Sequence, residues 1–252
     1  MRQVLMSSPG TGSMERQLRR QSIWLRNSLQ WILEEKVLTG DGSETALDVG
    51  CGPGYVMDTM ADMVRVSGVD LDGDMVRSCR ARGLDVGRGS AYDLPFDDGS
   101  FDIVYCTFLM LWLDDPGSAL QEMSRVSRKH VLCLAEPDFG ARIDHPGELG
   151  TVREIVISGI MENGGDPEMG RKLRGLFQRC GLFVDVGIHP GVWSLERLGL
   201  EFEDEWSFVR STCPEGRQGE LAGLKKSWER ALAEGTLFQF NPIFYALGSR
   251  AR

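Results

Sequence analysis

Apolar residues recur with helical spacing at the start of the chain and in short runs further on. Leu25, Leu29 and Ile32 are spaced like one face of a helix, charged residues fall between them, and no proline interrupts residues 14–38. This pattern is typical of an amphipathic helix. Gly, Pro and Ser are frequent before it, so we expect residues 1–13 to form a flexible lead.

Further along the chain, short apolar runs alternate with helical stretches. Seven runs are each short enough to be a buried strand: 45–49, 64–69, 84–87, 101–108, 131–134, 182–188 and 237–247. Helical patterns separate the early runs at 55–63, 75–81 and 118–126. This alternation predicts βαβ units, and hence an α/β fold with a mostly parallel sheet covered by helices on both faces.

Two segments interrupt the alternation. Residues 139–165 lead into a helix near Glu148, and residues 194–234 carry Trp, Glu, Arg and Leu at helical spacing. With the first helix, residues 14–40, these segments predict a small helical cap. A chain of 252 residues holds one large domain or one with a modest appendage, so we expect residues 14–252 to form a single domain.

The composition excludes several classes of protein. With 42% hydrophobic and 26% charged residues the chain can bury a full core, and its net charge of −9 disfavours broad binding to nucleic acid. The six cysteines form no CxxC pair and no Cys/His ligand spacing, so we expect reduced thiols, a cytoplasmic location and no metal site. No apolar run approaches the roughly 20 residues that cross a bilayer, which predicts a soluble protein.

A strand that runs directly into a glycine loop is the first candidate ligand site. In ALDVGCGPG at 46–54, three glycines let the backbone turn sharply and present N–H groups at the start of a helix. Tyr55 stands where the dinucleotide pattern needs its last glycine, and no Gly-Lys-Ser/Thr of a P-loop follows. Asp48 lies inside the strand, where it would repel a pyrophosphate but attract an amino group.

A second acid ends the next apolar run. Asp70 lies about 20 residues beyond the loop, where it can accept hydrogen bonds from two vicinal ribose hydroxyls. Together, Asp48 and Asp70 predict a nucleoside ligand whose tail carries an amino group.

At this point the sequence resembles the class I S-adenosylmethionine-dependent methyltransferases. Four segments carry the resemblance: ALDVGCGPG at 46–54, GVDLDGDMV at 68–76, GSAYDLPFDDGSFDIVYC at 89–106 and ALQEMSRVSR at 119–128. It is close over about residues 44–136. The resemblance implies S-adenosylmethionine as the cofactor and a doubly wound, mostly parallel sheet of seven strands whose last strand is antiparallel.

The resemblance also implies how the cofactor is bound. Asp48 would hold the amino group of the methionine part, Asp70 the ribose and Leu71 the adenine. Ser90-Ala91 stands where the family usually has an acid before a small residue. The expected cofactor contacts are Asp48, Gly50, Cys51, Gly52, Asp70, Leu71, Ser90, Ala91, Tyr92 and Thr107.

The methyl acceptor should lie beyond the carboxyl ends of the strands, where open α/β sheets bind ligands. At the end of the fourth run, Thr107 would contact the methionine carboxylate, and Phe108 and Trp112 would wall the acceptor pocket. Trp24 on the first helix would cover the acceptor. The alternative is that Trp24 is buried against the sheet beneath a solvated basic face.

Residues 136–145 hold the densest collection of ionisable groups in the chain. We expect His145 and Asp138 to act in acid–base catalysis or to orient the substrate, and Arg142 to bind an acidic substrate group. For Asp144, a helix cap is more consistent with the sequence than a catalytic role. For His145, a place at the start of a helix and a catalytic role fit the sequence equally well. Asp138, Asp144 and His145 would also suit a loose metal site, although no spacing rule demands one.

These features predict an enzyme that methylates a small organic acceptor by in-line displacement. Aromatic residues of the 194–234 segment favour an apolar or aromatic acceptor. The alternatives are a methyltransferase acting on protein or RNA, a nucleotide-dependent oxidoreductase, which Asp48 and Tyr55 disfavour, and a catalytically silent protein that binds S-adenosylmethionine. We expect a monomer or homodimer without nucleic-acid or membrane partners.

Overall fold

The computed structural model describes residues 11–40 and 42–249. Its strands are β1 (Thr45–Val49), β2 (Arg65–Asp70), β3 (Val86–Arg88), β4 (Phe101–Thr107), β5 (Ser127–Pro137), β6 (Ile143–His145), β7 (Phe183–Ile188), β8 (Phe238–Phe240) and β9 (Ile243–Ser249). Its helices are α1 (Thr11–Lys36), α2 (Tyr55–Met60), α3 (Gly73–Ala81), α4 (Pro116–Val126), α5 (Gly150–Glu162), α6 (Met169–Arg179), α7 (Leu195–Thr212) and α8 (Leu221–Ala233). Short 3-10 helices lie at Met110–Trp112, Phe139–Ala141, Gly147–Leu149 and Glu215–Glu220.

Seven strands form one sheet in the order β3-β2-β1-β4-β5-β9-β7. Strands β1 to β5 pair in parallel, and β9 runs antiparallel to both of its neighbours, β5 and β7. The strand order reverses between β1 and β4, and open α/β sheets bind ligands at such a point. The predicted α/β fold, with a mostly parallel seven-stranded sheet and an antiparallel last strand, is confirmed.

Alternate residues of the central strands face opposite sides of the sheet, as the period of a strand requires. In β4, Val104 and Cys106 belong to a core cluster that includes residues of α4 and α6. Ile103 and Tyr105 belong to a second cluster, which includes Leu29 of α1. Helices therefore cover both faces of the sheet, as the sequence predicts.

The segments predicted to form a cap contain α1, α5, α7 and α8, and α7 packs against the other three. Helix α1 begins at Thr11 rather than at residue 14, so the last residues of the expected lead are helical. Residues 1–10, the rest of that lead, lie outside the described residues. Within the described part of the chain, none of the helices has the length and apolar character needed to span a bilayer.

The last predicted strand, 237–247, is divided in two. Strand β8 pairs antiparallel with β6 in a separate two-stranded sheet, whereas β9 joins the main sheet. Asn241 and Pro242 separate them. Proline has no N–H with which to continue a ladder, so the apolar run does not remain one strand.

Candidate functional site

The loop after β1 takes the sharp course that its glycines predict. Gly50, Gly52 and Gly54 adopt left-handed backbone conformations, with φ of 72°, 52° and 78°. Residues with side chains rarely occupy that region, so the shape of the loop requires glycine. The N–H groups of Gly50 and Cys51 donate to the Val69 carbonyl oxygen at 2.8 and 3.1 Å, which ties the loop to β2.

Asp70 ends β2 directly beside this loop. Its Oδ2 accepts a hydrogen bond from the Gly52 N–H at 2.7 Å, and its Oδ1 accepts one from the Asp72 N–H at 2.8 Å. Burial raises the pKa of the Asp70 carboxyl, and the two N–H donors oppose that rise. A carboxylate has about four lone-pair positions, so Asp70 keeps acceptor capacity for ribose hydroxyls.

Asp48 is fully buried in β1. Among the described residues, neither of its carboxylate oxygens has a hydrogen-bond donor in good geometry, although the nearby Tyr105 hydroxyl favours its ionisation. Burial raises the pKa of Asp48 from 3.8 to about 8. A buried carboxylate without a good donor is costly, and the amino group of a methionine moiety would supply both charge and donors. Asp48 therefore fits the cofactor that the resemblance implies.

The residues expected at the adenine lie just beyond the carboxyl ends of β2 and β3. The Leu71 carbonyl oxygen accepts a hydrogen bond from Arg88 Nε at 3.1 Å. The Gly89 N–H donates to the Asp70 carbonyl oxygen at 3.0 Å, which brings the turn at 90–92 to the end of β2. The carboxyl ends of β1, β2 and β3 thus lie side by side and carry the predicted cofactor segments.

A small cavity of about 50 Å³ lies against the glycine loop, and α1 forms one of its walls. The helix contributes Leu18, Gln21 and Ser22. The other walls include four of the expected cofactor contacts: Gly50, Cys51, Gly52 and Thr107. The structure therefore brings these four residues around one space, whereas Asp48, which is predicted at the same part of the cofactor, does not line it.

Contacts near the start of α1 and in its second half hold the helix in place. Glu15 Oε1 accepts a hydrogen bond from the Tyr55 hydroxyl at 2.8 Å. Further along the helix, the ring nitrogens of His189 lie 2.6 Å from Ser28 Oγ and 2.7 Å from the Leu134 carbonyl oxygen. Burial lowers the pKa of His189, which favours the neutral ring. No sequence pattern identifies these contacts, because each joins residues that are distant along the chain.

A larger cavity of about 360 Å³ adjoins the first one. Leu18, Gln21 and Phe108 line both cavities and therefore mark the boundary between them. Aromatic walls come from α1, the turn after β4, the segment after β5 and α7: Trp24, Phe108, Trp112, Phe139 and Phe208. The predicted substrate contacts Trp24, Phe108 and Trp112 are among them. The volume lies in the usual range of small-molecule sites.

The corner after β4 shapes this boundary. Phe108 has a φ of 51°, a left-handed conformation that residues other than glycine rarely adopt. The Glu136 carboxylate holds the corner by accepting hydrogen bonds from the Met110 N–H at 2.7 Å and the Leu111 N–H at 3.3 Å. Burial raises the pKa of Glu136 to about 8, against the effect of those donors. Strained backbone that its surroundings hold in place is frequent at functional sites.

Trp24 both lines the cavity and packs against the cap. Its Nε1 donates to Glu201 Oε1 at 3.1 Å, and its ring meets Trp193 edge-on with centroids 4.7 Å apart. The Arg20 guanidinium lies 4.4 Å from the centre of the Trp24 ring and donates to Glu201 Oε2 at 2.8 Å. These contacts join α1 to α7 beside the larger cavity.

Three residues expected at the acceptor line neither cavity: Asp138, Arg142 and His145. The Asp138 carboxylate accepts hydrogen bonds from Arg171 at 2.6 and 2.8 Å and from the Ala141 N–H at 3.2 Å, so it fixes the turn after β5. His145 is exposed on β6. The geometry does not bring these side chains to an acceptor, and their expected roles are corrected accordingly.

Arg142 instead belongs to a buried ion-pair network. Its Nε lies 2.9 Å from Asp144 Oδ2, and its Nη1 lies 3.2 Å from Glu205 Oε1. Gln239 Nε2 donates to the same Glu205 oxygen at 3.1 Å, and Arg20 Nη2 lies 3.5 Å from the other. Asp144 therefore pairs with Arg142 rather than capping a helix. The network joins α1, β6, α7 and β8.

Within the part of the chain that the structure describes, the residues at 138–145 form no group with metal-ligand spacing. Cys106, Cys133 and Glu136 do form one, with potential ligand atoms within 4.8 Å of one another. All three side chains are buried in the sheet, and Glu136 already accepts two backbone hydrogen bonds. We therefore assign this group to the core.

Residues 47–135 match the family model described as a methyltransferase domain. An uncharacterized 37.1 kDa protein of transposon TN4556 from Streptomyces fradiae is 36% identical over 210 residues, which are 77% of this chain and 59% of that protein, less than two thirds of its length. O-methyltransferase resE of Aspergillus sclerotiorum is 29% identical over 181 residues, 67% of this chain and 68% of that protein.

A solved structure from Anabaena variabilis, of a protein assigned to an antibiotic biosynthesis pathway as a methyltransferase, shares the fold. Its TM-score is 0.66 at 14% identity, over 88% of this chain and 96% of that one. The matched residues 47–135 include the glycine loop and Asp70, which the structure brings together at the ends of adjacent strands. Residues 47–135 of this chain therefore match the methyltransferase-domain family, and the glycine loop, Asp48 and Asp70 within them fit S-adenosylmethionine as the cofactor.

Proposed function

We propose that this chain transfers the methyl group of S-adenosylmethionine to a small, largely aromatic organic acceptor bound in the larger cavity. The observation that carries the proposal is the boundary shared by the two cavities, at Leu18, Gln21 and Phe108. Ligands on the two sides of this boundary would meet directly. Methyl transfer needs that proximity, because the acceptor has to align with the carbon–sulfur bond where water is excluded.

Bound S-adenosylmethionine supplies a methyl group that its sulfonium already activates. The chain therefore needs to bind and orient two ligands rather than to activate the methyl group. In our proposal Asp48 binds the amino group and Asp70 the ribose. The proposed cofactor contacts are Asp48, Gly50, Cys51, Gly52, Asp70, Leu71, Ser90, Ala91, Tyr92 and Thr107.

The larger cavity favours a small acceptor over protein or RNA. Its volume of about 360 Å³ suits a compact organic molecule, and its aromatic walls suit a flat one. The net charge of −9 disfavours RNA. The relative resE is an O-methyltransferase by name, which supports oxygen as an acceptor atom.

Two carboxylates on α7, Asp204 and Glu205, line the larger cavity and replace the base candidates expected from the sequence. Glu205 already accepts hydrogen bonds from Arg142 and Gln239. The Asp204 side chain is 46% exposed, and its carboxylate lies 3.9 Å from Arg20 Nε. We therefore assign Asp204 as the proton acceptor for a substrate that has to be deprotonated.

Calorimetric titration with S-adenosylmethionine, S-adenosylhomocysteine and NAD tests the cofactor half of the proposal. We expect the first two to bind and NAD not to bind. Asp70→Ala should weaken binding about tenfold or more, because it removes an acceptor of ligand hydrogen bonds. Asp72→Ala is the matched control, since it changes only the cap of α3 beside the site. Binding of NAD alone would favour an oxidoreductase.

Transfer of a labelled methyl group tests the acceptor half. The labelled cofactor is incubated with the chain and a panel of small aromatic compounds, a protein mixture or total RNA. We expect label in small compounds. Label in protein or RNA instead would overturn the proposed acceptor class, and cofactor binding without transfer to any of the three would favour a catalytically silent protein.

A further inference from the structure

Three polar atoms beside the larger cavity lack hydrogen-bond partners among the described residues: Arg20 Nη2, Gln21 Oε1 and Asn241 Oδ1. All three atoms are buried, and all three residues line the cavity. The separation of 3.5 Å between Arg20 Nη2 and Glu205 is an ion-pair distance rather than a good hydrogen bond. Buried polar atoms are normally paired, so this set indicates hydrogen bonds that a ligand completes.

The formal charges on the cavity lining cancel. Two arginines, Arg16 and Arg20, and two acids, Asp204 and Glu205, line it. Arg16 is exposed to solvent, and the charge of Arg20 is compensated by Glu201 Oε2 at 2.8 Å. Because burying an unpaired charge is expensive, this lining favours a neutral ligand.

We propose that the acceptor is a neutral aromatic compound with at least two hydroxyl groups, which donate hydrogen bonds to the amide oxygens of Gln21 and Asn241. This inference rests on the proposed function and specifies its substrate class. The two amide oxygens need donors, and a hydroxyl supplies one while staying uncharged. The remaining donor, Arg20 Nη2, can bond to a hydroxyl oxygen of the same ligand.

Gln21 and Asn241 would have different roles, because Gln21 lines both cavities and Asn241 lines the larger one. A hydroxyl bonded to Gln21 would lie at the boundary with the cofactor cavity. A lone pair of that hydroxyl oxygen forms the new carbon–oxygen bond, the electron pair of the broken carbon–sulfur bond stays on sulfur, and the hydroxyl proton passes to Asp204 and then to water. Asn241 orients the ring.

Binding of matched probes to the full chain, measured by calorimetry with S-adenosylhomocysteine present, tests the inference. The probes are a naphthalene diol, its difluoro analogue, which lacks donors at similar size, and the corresponding dicarboxylate. We expect the diol to bind on the order of tenfold more tightly than either of the others. Asn241→Leu should reduce this preference to less than about threefold. Gln178→Leu, the same change of amide to aliphatic side chain at an exposed position of α6 that lines neither cavity, should retain it.

Binding of S-adenosylhomocysteine serves as the internal reference. An affinity for it within about twofold of wild type would show that Asn241→Leu is folded. Suppose that S-adenosylhomocysteine binds to the wild type, but that the diol either does not bind or binds no more tightly than the other probes. The inference about the acceptor is then overturned, and the proposed cofactor binding stands. A full preference in Asn241→Leu would also overturn it. If S-adenosylhomocysteine does not bind to wild type, the proposed function fails first.

Discussion

Gly52 and Asp70 are joined by a hydrogen bond of 2.7 Å from the backbone N–H to the carboxylate. The residue proposed to hold the ribose therefore also supports the loop proposed to hold the methionine part. Because the loop follows β1 and Asp70 ends β2, this bond makes the two halves of the proposed cofactor site depend on each other. Changes on either side should be measurable in the stability of the protein as well as in binding.

Gly52→Ala should lower the free energy of unfolding by about 1 to 2 kcal/mol. A Cβ here would lie 3.9 Å from Leu18 Cδ1, an ordinary contact, so the cost arises from the φ of 52° and not from a clash. Denaturation in urea measures the change. The control is Gly87→Ala in β3, where a Cβ meets nothing within 4 Å and φ is ordinary. Equal effects of the two substitutions would contradict the backbone argument.

Binding of S-adenosylhomocysteine near pH 7 should release about one proton. The pKa of Asp48 is about 8 in the free protein, so its carboxyl is mostly protonated, and a bound amino group would favour the ionised form. Calorimetry in two buffers with different ionisation enthalpies measures the release. Asp48→Asn should bind more weakly and release none. A binding heat of wild type that is the same in both buffers would argue against this contact.

Glu136 should make the protein less stable as the pH rises from about 5 to 8. Its pKa rises from 4.5 to about 8 on folding, so the unfolded chain loses this proton first and stability falls across the window. In Glu136→Gln the fall should be smaller by about 3 kcal/mol. Asp48→Asn should act in the same direction, since its pKa is also raised. Denaturation in urea at several pH values measures how the free energy of unfolding changes with pH. If Glu136 stayed ionised in the folded protein, Glu136→Gln and wild type would show the same dependence.

Arg142→Met should lower the free energy of unfolding by about 3 to 5 kcal/mol, because it removes the partner of the buried Asp144 carboxylate and leaves Glu205 with Arg20 at 3.5 Å. The control is Arg217→Met, whose partially exposed side chain pairs with Glu220 and should cost less than about 1 kcal/mol. Chemical denaturation of both variants provides the comparison. If Arg142 bound an acidic substrate group instead, the variant would stay stable and lose acceptor affinity.

Phe108→Gly should be more stable than Phe108→Ala by about 1 kcal/mol. Both substitutions remove the ring, but only glycine adopts a φ of 51° without strain. The same pair at Phe183, which is regularly paired in β7, should show the usual order in which alanine is the more stable. Urea denaturation of the four variants measures their free energies of unfolding. If alanine were the more stable variant at both positions, the argument for strain at Phe108 would fail.

Patterns that are local in the chain predicted much of the fold. Strand β1 has the predicted bounds, because an apolar strand followed by glycines is a short-range signal. The glycine loop, Asp48 and Asp70 could be proposed as a site for the same reason, since parallel strands bring their carboxyl ends together. The division of the last apolar run depended on pairing between β6 and β8, which no local pattern shows.

The candidate acceptor site was predicted less well, because its residues are far apart in the chain. Residues 136–145 resemble a reactive cluster when their ionisable groups are counted along the sequence. In the structure, Asp138 pairs with Arg171, 33 positions away, and Arg142 with Glu205, 63 positions away. The high density of charge at 136–145 therefore reflected ion pairs rather than a reactive site. Asp204 could not be singled out from the sequence, because it was one acid among many in the 194–234 segment.

The two helices beside the cavities have different consequences for engineering. Leu18 and Gln21, one turn apart on α1, line both cavities, so in our proposal substitutions there would change the acceptor site and the binding of the methyl donor together. Ser207, Phe208 and Ser211 on α7 line the larger cavity without lining the smaller one. If the proposed function holds, a library that varies these α7 positions would therefore accept new acceptors while the methyl donor still binds.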